Sequence, residues 1–311
     1  MTDLNKLHRL FQNMSRPLVL EANKRQKDRV IDGLKELNFF MTSISITPKQ
    51  VIKIQLIDKK EFSIYMANEA SRFFLASMIS LGRAKQHQPH NLAWQLVEHY
   101  YAAYYAVHYL MRVGGYSITN IDKATLQCIL KTNVSHQNTS NLSSGLNLLK
   151  FDLNCEHIEI IKKEKGGGSH KNVWEIWSEI VESLLTLTDT DIKEYSNIAM
   201  SLAEHRSFLV RTNGTYSPTE IRSEINYQFK GNSWCFEEKT KDKISRITRA
   251  IDENSIVLSK DNDLLYSFTN HNNFIISLAK SVFQKASQNN GKSICRGLTN
   301  QFKDRVIDIV G

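Results

Sequence analysis

Along most of the chain apolar residues return every three or four positions, the period of a helix with one buried face. Residues 3–14 and 17–37 carry it first. Pro17 suits a first turn, and Val30, Ile31, Leu34 and Leu37 stand at helical spacing. From residue 67 onward the same period predicts helices near 68–86, 91–113, 120–132, 142–151, 171–188, 191–212, 218–226, 240–258, 263–287 and 297–310. One stretch departs from it. Ile44/Ile46, Ile52/Ile54/Leu56 and Phe62/Ile64/Met66 alternate with mostly polar neighbours, the period of a strand. Thr47-Pro48-Lys49-Gln50 argues the other way, as a capping box with Pro at the first helical position. Three alternating runs outweigh one cap, so an antiparallel meander is expected, with Asp58-Lys59-Lys60-Glu61 turning between its last two runs. The fold class read from this pattern is mainly α, with a small antiparallel β element near the N-terminus. Residues 1–66 form an N-terminal region, 67–237 a helical bundle and 238–311 a C-terminal helical extension.

Punctuation supports these bounds. Gly114-Gly115 ends the 91–113 helix, Gly166-Gly167-Gly168 is a break, and Ser169 can cap the helix that follows. The stretch 135–141 is polar and reads as a loop. Lys27-Asp28-Arg29-Val30-Ile31-Asp32 recurs at 303–308, but the flanks differ and the match is too short to make a repeat.

Composition narrows the class. With 311 residues, 41% of them apolar and 23% charged, the chain is long enough to bury a core without staples. Only four prolines interrupt it, which favours helix. Lys plus Arg less Asp plus Glu is 40 − 32 = +8, a charge that attracts nucleic acid or an acidic partner. Cys128, Cys155, Cys235 and Cys295 are far apart, which argues against a zinc or dithiol motif and for reduced thiols in the cytoplasm. The N-terminus lacks an apolar signal core, and no run of about 18 apolar residues is present, so no membrane association is expected.

The segment 91–112 is the most informative. Leu96, Tyr100, Ala103, Val107 and Leu110 share one helical face as an apolar seam. Glu98, Tyr101, Tyr105, His108 and Arg112 share nearly the opposite face, aromatic and ionisable. A helix covered on both sides is central in a bundle or lies at a subunit interface, which makes Tyr101, Tyr105 and His108 interface candidates. The plainer reading makes the tyrosines and His108 satisfied core groups.

Trp94 to Gly114, with Tyr100-Tyr101-Ala102-Ala103-Tyr104-Tyr105-Ala106 and His108 inside it, resembles a helix of HEPN-type proteins. The resemblance implies a helical bundle of the kind found in toxin–antitoxin and antiphage proteins. Many of those dimerise and cut RNA without metal, using Arg, four to six residues, then His on a late helix. The matching late element is Ser217 to Tyr227, where Ser217, Pro218 and Glu220 signal a helix start and Arg222 and Asn226 lie one turn apart. It departs from the family pattern after Arg222. The positions where His is expected hold Tyr227, Gln228 and Phe229, and none is a good base near neutral pH.

What the resemblance implies is a HEPN-like protein of a bacterial conflict system, acting as a dimerising, partner-binding or RNA-binding module. Its partners would be a second copy or a multiprotein defence complex, and RNA. The alternative is an active metal-independent ribonuclease. There Arg222 would stabilise the phosphorane, with Asn226 and Tyr227 beside it, and a His from elsewhere in space (His108, His170 or His205) would be the base. A scaffold subunit without a nucleic-acid role is the third reading. Arg222, Lys171 and Arg112 are the phosphate-binding candidates, and no metal or cofactor is called for.

Other constellations are weaker. Gly166 to His170 opens a helix, whose free N–H groups can meet a phosphate while His170 offers acid–base chemistry. A linker with a capping serine explains it as well. Arg83 and His90 have a similar spacing but span Pro89 and read as a loop. Ala286 to Ser293 lacks the first glycine and the preceding strand of a phosphate-binding loop.

Overall fold

The computed structural model describes all residues except 1–2, 26–28, 87–90, 134–140, 153, 164–167, 211–214, 238–239, 255, 257, 259–261 and 304–311. His90, residues 135–140, Gly166, Gly167 and both copies of the repeated hexapeptide in part fall outside that description.

The chain opens with three helices, α1 (Leu4–Gln12), α2 (Pro17–Leu20) and α3 (Val30–Glu36), where the sequence pattern had suggested two. Two strands follow, β1 (Phe39–Ser45) and β2 (Val51–Leu56), and then the long α4 (Lys59–Lys85). The meander is therefore a hairpin. Its third run, 62–66, is helix, because Asp58 caps α4 by accepting from the Glu61 amide at 3.0 Å and so does not turn a strand. Phe62, Tyr65 and Met66 then share a buried helix face.

Next come α5 (Leu92–Val113), β3 (Tyr116–Ile121), α6 (Lys123–Lys131), β4 (Gly145–Phe151) and β5 (His157–Lys162). The helix expected at 142–151 is strand β4. Leu148 and Leu149 are adjacent and both buried, so the period of two that marks a half-exposed strand is missing there. The described strands form one antiparallel sheet in the order β1-β2-β5-β4-β3. Its buried face carries Met41, Ile54, Ile158 and Phe151 side by side across four strands.

The rest is helical: α7 (Gly168–Thr188), α8 (Ile192–Leu209), α9 (Ser217–Gln228), α10 (Thr240–Asp252), α11 (Leu264–Asn289) and α12 (Ile294–Phe302). The 286–293 segment joins α11 to α12, a helix–loop–helix with Ser293 capping the second helix. Asp191 and Asp263 cap α8 and α11 in the same way. Ser217 lies inside the first turn of α9 and is buried, so Tyr216 holds the cap position and Pro218 sets the helix start.

One apolar core runs through the three stretches 1–66, 67–237 and 238–311, with Phe11 of α1, Phe74 of α4 and Phe283 of α11 all buried in it. The Phe74 and Phe283 rings stack at 3.8 Å. Helix α5 is central: α4 packs along it, α11 lies against it, and α7 and α9 reach it from another side. Every residue of the Leu96/Tyr100/Ala103/Val107/Leu110 seam is fully buried. At its C-terminus Gly115 adopts φ +85°, and a Cβ there would meet Arg16 Nε at 2.5 Å. Buried Arg16 in turn donates to the Phe151 carbonyl, tying the α5–β3 turn to the sheet.

Candidate functional site

The polar face of α5 divides into two clusters. The first is closed. Arg112 is 1% exposed and its Nε donates to Glu69 Oε1 at 3.0 Å, with a second guanidinium nitrogen on the same oxygen. The remaining nitrogen donates to His108 Nδ1 at 3.0 Å, so His108 accepts there and is neutral. Burial, then Arg112 and His170, push the His108 pKa well below its ordinary value. Phe73 stacks on His108 at 4.4 Å and carries the Arg112 guanidinium at 4.2 Å from its ring centre. Burial raises the Glu69 carboxyl, but Arg112 and the Val30 amide outweigh it and hold the pKa below the ordinary range. Arg112 and His108 therefore cannot serve a phosphate or a proton transfer. The sequence placed them among the candidates because it could not see Glu69.

The second cluster is open. His170 stands at the start of α7, with its Nδ1 2.8 Å from the Tyr100 hydroxyl. Trp174, one turn on, donates its indole N–H to the same hydroxyl at 3.2 Å. Trp174 can only donate, so the phenolic proton is free to go to His170 Nδ1. Tyr104 stacks on His170 at 4.3 Å, and Ser169, which the sequence had as a helix cap, lies inside the first turn of α7 beside the Tyr104 hydroxyl. Arg222, on α9, places its guanidinium 5.7 Å from the centre of the Tyr100 ring and 5.7 Å from that of Tyr227. Its Nε is buried without a hydrogen bond, and among the described residues no carboxylate pairs with it. Thr219 Oγ1, a turn earlier, stands beside Tyr100 outside hydrogen-bonding geometry.

Electrostatics separate the two clusters. Burial, then the Arg222 charge, lower the His170 pKa, so its imidazole is neutral near pH 7. Burial raises the Tyr100 phenol and pushes Tyr104 up to about 12, so neither ionises in the working range. The site thus holds one unpaired cation, a neutral imidazole and a helix N-terminus, the ingredients of an anion site. His170 is half-buried and Ser169 and Lys171 are exposed, so solvent reaches it.

The other candidates are placed as follows. Asn226 is half-buried a turn beyond Arg222, and Tyr227 is exposed. Tyr101 and Tyr105 are half-buried, Tyr101 edge-on to His170 at 6.2 Å. His205 is fully buried elsewhere, accepting from Trp177 at 2.9 Å and facing His271 at 3.0 Å, so it does not meet Arg222. Tyr100 was assigned to the apolar seam, yet it joins His170 to Arg222; its helical position alone does not reveal a hydroxyl aimed sideways. The described residues contain no cluster of three metal-ligating side chains and no helix long and apolar enough to cross a membrane. No protein-family model, curated protein or solved structure matches this chain.

Proposed function

We propose that the open cluster holds a phosphate of RNA, and that the chain is an RNA-binding, HEPN-like module of a bacterial conflict system. One observation carries the reading: Arg222 is half-buried without a carboxylate, next to a neutral histidine at a helix N-terminus. A guanidinium partly withdrawn from water and left unpaired is costly, and a bound phosphate would supply the missing acceptor oxygens. The +8 charge adds a long-range attraction. Assembly as a homodimer or in a larger complex belongs to the same proposal.

A second reading, metal-independent cleavage, is favoured by His170. It stands in space beside Arg222, where the late helix offers no histidine. Its Nε2 would take the proton of the 2′-hydroxyl as that oxygen bonds to phosphorus. Arg222 would hold the phosphorane oxygens, and the bond to the 5′-oxygen would break, that oxygen taking a proton from solvent. Accepting at Nε2 requires the tautomer protonated on Nδ1, in which His170 donates to Tyr100 and Tyr100 accepts from both His170 and Trp174.

The test uses labelled single-stranded RNA in chelator. Arg222→Ala is expected to weaken binding roughly 10- to 100-fold, the weight of a charge-assisted contact. Unchanged affinity would refute the phosphate site. Cleavage, if the second reading holds, leaves cyclic-phosphate ends and falls roughly 10²- to 10⁴-fold in His170→Gln. Intact RNA with the wild-type protein removes that reading and leaves the first.

A further inference from the structure

Beyond Arg222 the surface changes character. Among the described residues the strongly exposed large aromatic side chains are Trp94, Tyr227, Phe229 and Phe236, and all lie in one region. Half-buried Trp234 sits at its centre, edge-on to Trp94 at 6.3 Å and to Phe229 at 5.6 Å, and stacked on Phe236 at 5.8 Å. Elsewhere among the described residues the exposed large hydrophobic side chains are aliphatic or Met.

The patch is built to stay in place. The Glu237 carboxylate accepts from the amides of Asn232, Ser233 and Trp234 at 2.7–2.9 Å. Trp234 Nε1 donates to the Ile225 carbonyl at 2.8 Å, fixing the indole on α9. Phe229 ends α9 in left-handed backbone, φ 51°, its amide donating to the Glu224 carbonyl, and Asn232 adopts the same region at φ 55°. Phe229 and Phe236 nevertheless remain more than half exposed. A loop tied by these hydrogen bonds while it holds rings in water is preorganised for a ligand.

We infer that this patch is a stacking platform for the unpaired bases of a single-stranded RNA whose phosphate sits at Arg222. The inference rests on the phosphate reading above and extends it along the strand. Ring faces accept any base, which suits sequence-tolerant stacking. Continuity supports the occupant: Tyr227 faces Arg222 on one side and precedes Phe229 by two residues on the other. Charge supports it as well, since Lys230 and Lys241 are exposed at the loop and at the start of α10, in a chain of net +8. A strand passing from the guanidinium to the platform would meet phosphate contacts and then ring faces, with no base edge read.

The experiment measures binding of a labelled oligouridylate and of an RNA duplex of equal length. Phe236→Ala and Trp94→Ala are each expected to weaken the single strand roughly ten-fold or more, with far less effect on the duplex. Phe236→Tyr, which keeps a ring, is expected to retain the affinity, and circular dichroism checks that each variant is folded. Single-strand affinity unchanged in folded Phe236→Ala and Trp94→Ala, while Arg222→Ala still weakens it, would overturn the platform and leave the phosphate site standing. Failure of the wild-type protein to bind RNA at low salt would overturn both. Dissociation of a dimer by Phe236→Ala, with RNA affinity unchanged, would mark the patch as a protein interface and also overturn it.

Discussion

Two arginine–histidine clusters lie against one helix, α5, and a carboxylate stands in only one of them among the described residues. Around Arg112 the guanidinium meets Glu69, His108 and Phe73, and nothing remains for a ligand. Around Arg222 the described neighbours are aromatic rings and an imidazole, with no carboxylate among them. With a carboxylate the pair becomes a structural tie between α4 and α5; without one it is the place where we propose an anion. The presence of an arginine beside a histidine therefore says little. The location of the counter-charge is what separates the two.

The largest effect that sharpens this contrast should follow Glu69→Ala. It leaves Arg112 buried and uncompensated, a loss expected to cost about 3–5 kcal/mol in urea unfolding. Arg222→Ala should stay within about 1 kcal/mol of wild type in the same assay, since no ion pair is broken. Equal costs would erase the distinction.

Acid should act next, and differently on each cluster. Below pH 6.5 the unfolded chain protonates His108 while the folded chain does not, so stability falls as pH falls, by about 1.4 kcal/mol per pH unit for that group. Glu69, held below its ordinary value, contributes stability above about pH 4.5 that disappears as pH drops through its lowered pKa. His108→Gln should flatten the upper part of this slope. At the open cluster, any cleavage should keep its base form at pH 7 and lose it only below pH 6.5. Arg222→Ala removes one of the two influences that depress His170, so the acid limb of residual activity should move upward in pH. A limb that stays in place would remove Arg222 as a neighbour of the base.

The smallest effect on stability should come from supplying the missing carboxylate. Asn226→Glu sets an acid one turn from Arg222, a pair expected to change stability by no more than about 0.5 kcal/mol. RNA affinity should nevertheless fall roughly ten-fold, and its salt dependence should lose about one phosphate contact. Retained affinity would mean that the phosphate lies elsewhere.

Helix α5 was legible in the sequence because its two stripes repeat over several turns, and α9 because Pro218 and Glu220 mark its start. The strands were less so. Phe62/Ile64/Met66 alternates for only five residues, too few to outweigh the Asp58 cap, and in β5 the adjacent Ile160 and Ile161 break a short alternation. Arg222 and His170 were each singled out, on local chemistry alone. Their meeting was not readable, because they are far apart in sequence and are brought together by Tyr100, a residue that belongs by spacing to the core. The Glu69 partner of Arg112 was hidden for the same reason.

Tyr104 lies between the two clusters, edge-on to His108 at 4.8 Å and stacked on His170 at 4.3 Å. That placement gives the fold an evolutionary constraint. A lineage that alters the open cluster through Tyr104 also disturbs the closed one, so a gain in ligand preference there arrives with a change in folding. Adaptation would then run more freely through exposed Tyr227, Gln228 and Lys230 at the end of α9, while Tyr104 changes only together with compensating substitutions on α4 and α7.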